Sequence, residues 1–157
     1  MKIILEFLIV FLVLALALFL EMERALSLGG VNPNLVLVIL VLLIFYFSRF
    51  GTAFFLFAVS FTVILSFFWM PFWWSKVMVL GVLALGIYFV RDRFTGNDLI
   101  NVGMVIAALT LLFYLIFNVF NISGVPWVSI LGEMFYNMTL GVAGAILISF
   151  FIRPLVE

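Results

Sequence analysis

The chain has 157 residues, of which 69% are hydrophobic and 9% charged, with seven basic and seven acidic side chains and a formal net charge of zero. Soluble chains carry about 25% charged residues, so this set cannot coat a globule of this length in polar surface, and lipid is the natural cover for the rest. Zero net charge without a basic run gives nucleic acid nothing to bind, and the absence of cysteine and histidine excludes disulfides, thiolate chemistry and imidazole catalysis or metal ligation.

The charges act as punctuation along an all-α reading with six membrane spans in one transmembrane domain, residues 1–157. The first span is Ile3–Leu20. As a signal peptide it fails twice: the apolar run outlasts the usual core of about 7–15 residues, and Glu21-Met22-Glu23-Arg24 is no small-residue cleavage site. The segment Glu21–Asn34 is polar and contains Gly29-Gly30. Asn32 is placed to cap a second helix with Pro33 in its first position, giving a span over 33–48 that ends at Arg49. The third span, 52–69, follows at once. Trp69, Trp73 and Trp74, beside Pro71 and Lys76, read as an interfacial aromatic belt. The fourth span, 77–90, stops at Arg91-Asp92-Arg93. Asn97 or Asp98 caps the fifth, 99–117, and the sixth runs over 127–152 to Arg153-Pro154.

The spans are uneven. At 1.5 Å per residue the fourth covers roughly 21 Å against about 30 Å of hydrocarbon, so a re-entrant fourth segment stays open, while the sixth covers about 39 Å and must tilt, kink or protrude. With the N-terminus inside, Lys2, Arg49, Arg91, Arg93 and Arg153 fall on the cytoplasmic side and only Arg24 and Lys76 on the outer side. The positive-inside rule then puts both termini in the cytoplasm.

Two helical stripes carry the polar residues. On the sixth helix Glu133, Asn137, Gly141 and Gly144 share one face. Small residues let backbones approach, and an amide or carboxyl bonds across a helix pair. A carboxyl within a span is a functional candidate because it is costly unless paired or solvated. Assembly glue is the first reading of Glu133, a partner or ligand contact the second, and a passive interfacial residue the third. On the fifth helix Gly103, Ala107, Thr110, Tyr114 and Asn118 form a second stripe, read as a packing face. Glu6 pairs with Lys2 one turn away. Glu21 and Glu23 read as a solvated helix end. Asp92 and Asp98, beside Arg91 and Arg93, suit solvated ions and not a shared-proton catalytic dyad. No catalytic, metal or cofactor site is expected, and the chain is read as a non-enzyme.

With these elements placed, the chain resembles the bacterial rod shape-determining MreD family. The carriers are the length, a short N-terminus leading straight into a span, and a second helix opening with Asn32-Pro33-Asn34-Leu35. The closing helix is also similar, with Glu133 and Asn137 preceding a basic end at Arg153-Pro154. The third helix departs from the family pattern, being Phe-rich without glycine or acid over Thr52–Trp69. The resemblance implies a six-helix fold akin to the substrate-binding subunits of energy-coupling-factor vitamin transporters. It also implies a scaffold role in cell-wall elongation and cell-shape maintenance, beside the bitopic protein MreC. The alternative is a small-solute binding or transport subunit. The two differ at one place: a solute binder shows a polar pocket at the outer end, bounded by the first and third outer loops, whereas a scaffold fills that place with apolar side chains.

Overall fold

The computed structural model describes residues 2–46, 51–69, 74–94, 96–119 and 124–152. The described residues are all-helical, with one isolated bridge between Leu28 and Val31 and no strand. The helices are α1 (Lys2–Met22), α2 (Leu35–Tyr46), α3 (Gly51–Trp69), α4 (Trp74–Val90), α5 (Asp98–Val119) and α6 (Trp127–Leu147). A single 3₁₀ turn, Arg91–Arg93, follows α4, and α6 passes into a π-helical turn, Ile148–Ile152. Arg49, the 70–73 part of the aromatic belt and Arg153-Pro154 lie outside the described residues, as do the side chains of Lys2, Glu6, Trp74 and Asn118.

The second helix is the axis of the fold. Its sequence, LVLVILVLLIFY, is apolar on every face, the pattern of a helix enclosed by others. Val36, Leu37, Val38, Leu40, Val41, Leu43 and Ile44 are all buried. Five helices pack around it, and α2 divides two apolar cores. One joins α1, α3 and α4 through Leu14, Leu18, Phe54, Phe55 and Tyr88. The other joins α4, α5 and α6 through Leu80, Val102, Ile106, Leu109 and Ala145.

Outside this core the surface is apolar. On α1, Leu8, Ile9, Leu12 and Leu16 are each more than half exposed, and Phe68 on α3, Phe89 on α4, Ile100 on α5 and Val128 on α6 are more exposed still. Two helical stretches, Asp98–Ile116 and Trp127–Phe150, are long and apolar enough to cross a membrane.

The helix ends show their local causes. The α2 helix starts two residues later than the Asn32-Pro33 pair predicts. Asn34, not Asn32, supplies the cap, its Oδ1 accepting from the Leu37 N–H at 3.0 Å. Pro33 precedes the helix, and the Asn32 side-chain amide instead donates to the Glu21 carbonyl at 3.2 Å. Asn97 caps α5, its Oδ1 accepting from the Leu99 N–H at 2.8 Å. The α4 helix is continuous over 17 residues, roughly 26 Å at the helical rise, so it extends beyond the 77–90 run as one unbroken helix.

The α1–α2 connection folds back on itself. Leu28 and Val31 exchange backbone hydrogen bonds, each 3.0 Å, around Gly29 and Gly30 at φ 59° and 82°. A two-residue reversal with both central residues at positive φ suits glycine in both places.

Candidate functional site

The helix termini Glu21 (α1), Asn34 (α2), Lys76 (α4), Tyr114 (α5) and Glu133 (α6) converge at one end of the bundle around a cavity of about 260 Å³. Arg24, Ser27 and Asn32 from the α1–α2 connection and Val125 before α6 complete its rim, and Val77, Leu80 and Phe113 give it an apolar floor.

Each polar side chain is held by its neighbours. The Glu21 carboxylate accepts from the Val36 N–H at 3.4 Å and also from the Leu35 N–H, so it lies on the first turn of α2, where unpaired N–H groups and the helix dipole favour an anion. This corrects the reading of Glu21 as a solvated helix end. It is Glu23, in the turn just past the end of α1, that is exposed.

On the facing side, the Tyr114 hydroxyl donates a short hydrogen bond to the Glu133 carboxylate, which also accepts from the Asn137 side chain. Asn137 is fully buried. Its Nδ2 donates to the Thr110 hydroxyl at 3.3 Å, and its Oδ1 accepts the backbone N–H of Asn34 at 2.8 Å. Thr110 in turn donates to the Ile106 carbonyl at 2.8 Å. Lys76 interacts electrostatically with both Glu21 and Glu133. The cup therefore combines carboxyl groups from α1 and α6 with a lysine from α4 and a phenol from α5.

The two predicted stripes meet along α5 and α6. Tyr114 touches Glu133 and Thr110 touches Asn137. A Cβ added at Gly103 would lie 3.5 Å from Val142, an ordinary van der Waals contact. A Cβ at Gly141 would fall inside the Ile106 side chain. Gly144 turns elsewhere, to α2, where a Cβ would lie 2.8 Å from Leu42. Ala107 is half-buried. Asp92 and Asp98 are exposed, with Asp92 3.4 Å from Arg91, and Arg91 lies over the Tyr88 ring at 4.2 Å.

Sequence reasoning singled out neither Glu21, Asn34 nor Lys76 as part of a site. Asn34 carried a usable signal, being an amide immediately before an uninterrupted aliphatic run. Lys76 carried none beyond its belt.

The α1–α2 connection is pinned across the cup. Tyr136 donates to the Leu26 carbonyl at 2.8 Å, and a Cβ at Gly132 would meet Val31 at 3.2 Å. Among the described residues no group of three or more acids could hold a metal ion. No family model, curated protein or solved structure matches this chain.

Proposed function

We propose that this chain is a multi-pass, non-enzymatic membrane protein whose cup binds a small polar solute on the outer side of a bacterial inner membrane. The observation that carries this reading is the charged cavity itself. It lies between the α1–α2 connection and Val125, the place where a solute binder needs a polar pocket and a scaffold has no use for one. The six-span arrangement is supported by apolar side chains exposed on all five outer helices, α1, α3, α4, α5 and α6, a surface that water would penalise.

A second reading, an MreD-like scaffold of the cell-wall elongation machinery with a bitopic MreC-like partner, is favoured by a different observation. The two short elements that carry the resemblance, Asn32-Pro33-Asn34-Leu35 and Glu133 with Asn137, meet at the Asn34–Asn137 hydrogen bond. They form one joint, so their shared presence has a structural reason.

The separating experiment purifies the tagged chain from its own membranes into lipid nanodiscs, alongside Ser129→Trp, which fills the cup from its wall. Small molecules and co-purifying proteins are then identified. Solute binding predicts a small molecule enriched with the wild type and lost with Ser129→Trp. A partner protein retained by both, with no enriched small molecule, overturns solute binding in favour of the scaffold.

A further inference from the structure

The cup holds both signs of charge and a vacant acceptor. Glu21 and Glu133 contribute carboxyls, while Lys76 and Arg24 contribute cations, all lining the same 260 Å³. Asn32 adds a third acceptor: its Oδ1 is buried with no hydrogen-bond partner, although its amide nitrogen is fixed on the Glu21 carbonyl. A buried acceptor left unpaired is unfavourable, and an N–H donor entering the cup removes that cost. Val77, Leu80 and Phe113 offer apolar contact to a side chain.

Resting on the solute-binding reading, we propose that the ligand class is a small zwitterion of amino-acid size. Its ammonium group takes Asn32 Oδ1 and the carboxyls of Glu21 and Glu133, and its carboxylate takes Lys76 and Arg24. A dianion meets two carboxyls in this cup, and a dication meets a lysine and an arginine. A neutral sugar forgoes the charge-assisted bonds that either set offers. A zwitterion satisfies both.

The test uses the full chain in nanodiscs and calorimetric titration with four probes of similar size: L-alanine, ethylamine, propionate and glycerol. Binding of alanine about tenfold or more tighter than ethylamine and propionate is expected, since each fragment forgoes one set of charge-assisted bonds. Lys76→Met should lose the preference for alanine over ethylamine, and Asn32→Leu should lose the preference over propionate. Gly86→Ala, on the exposed side of α4, should keep both. Equal or tighter binding of glycerol or of a single-charge probe overturns the zwitterion assignment and leaves the solute-binding cup standing. Absence of binding by all four probes overturns the assignment as well. Only when the nanodisc extraction is also empty does the solute-binding reading fall with it.

Discussion

The backbone N–H of Asn34 and the side-chain oxygen of Asn137 lie 2.8 Å apart, joining residues 103 positions distant in the chain. Both residues are buried, so this single bond sets the start of α2 against the middle of α6. The same side chain reaches Thr110 on α5, which makes Asn137 the tie between three helices.

Removing that tie strands a buried backbone donor. Asn137→Ala should therefore cost about 1–3 kcal/mol, read as a fall in detergent melting temperature of about 2–4 °C per kcal/mol. Thr110→Val should cost less, because the Thr110 hydroxyl also has the Ile106 carbonyl and no backbone donor depends on it. Equal losses for the two variants would show that the Asn34 bond is not what gives Asn137 its weight.

Close approach at Gly141 gives a second stability test. Ile106 is fully buried against it, so Gly141→Leu overpacks the α5–α6 contact at a cost of about 1–3 kcal/mol or more. Even Gly141→Ala should destabilise, and Ile106→Val in the same chain should recover part of the loss. A Cβ at Gly86 on α4 meets nothing, so Gly86→Ala should be neutral or stabilising by up to about 1 kcal/mol. Thermal melts of the four proteins check the order.

What was legible in the sequence follows from what periodicity encodes. Six apolar runs between charges and Gly or Pro punctuation are enough to read an all-helical chain, and helical spacing places Glu133 and Asn137 on one face and Thr110 and Tyr114 on another. Spacing says which residues share a face and is silent on what that face meets. Hence Gly141 and Gly144 read as one packing stripe, although Gly141 meets Ile106 of α5 and Gly144 meets Leu42 of α2. Glu21 was hidden for a related reason. An acid at a helix end normally points to solvent, and only the fold-back at Gly29-Gly30 returns α2 close enough for its first N–H groups to capture that carboxylate.

The orientation proposed for the bundle has its own test. Reporters fused after Arg93 and after Glu157 should both read as cytoplasmic, and one inserted within Glu23–Gly30 should read as external, because most basic residues then fall on the inner side. The cup lies at the Glu21 end, so an impermeant probe added to intact cells should label a residue introduced at Ser27. Labelling only after the membrane is opened would put the cup inside and remove the outward-binding proposal.

The pair Tyr114 and Glu133 separates the two functional readings most directly, because Glu133 serves the helix contact and the cavity at once. Its carboxylate accepts from Tyr114 and Asn137 while facing the cup. Glu133→Gln keeps the shape and some hydrogen-bonding capacity but removes the charge, Glu133→Ala removes both, and Tyr114→Phe removes only the phenolic donor. Interhelical hydrogen bonds are worth about 0.6–2 kcal/mol, so Tyr114→Phe and Glu133→Gln should each soften the melt modestly. Combining them should cost less than the sum, since both single changes act on one bond. Binding should respond differently: a cup that uses the Glu133 charge loses its solute in Glu133→Gln almost as fully as in Glu133→Ala, while Tyr114→Phe retains most of it. If Gln instead keeps a co-purifying protein that Ala releases, with no solute measured in any variant, Glu133 acts through its hydrogen bonds within an assembly and the scaffold reading replaces the solute cup.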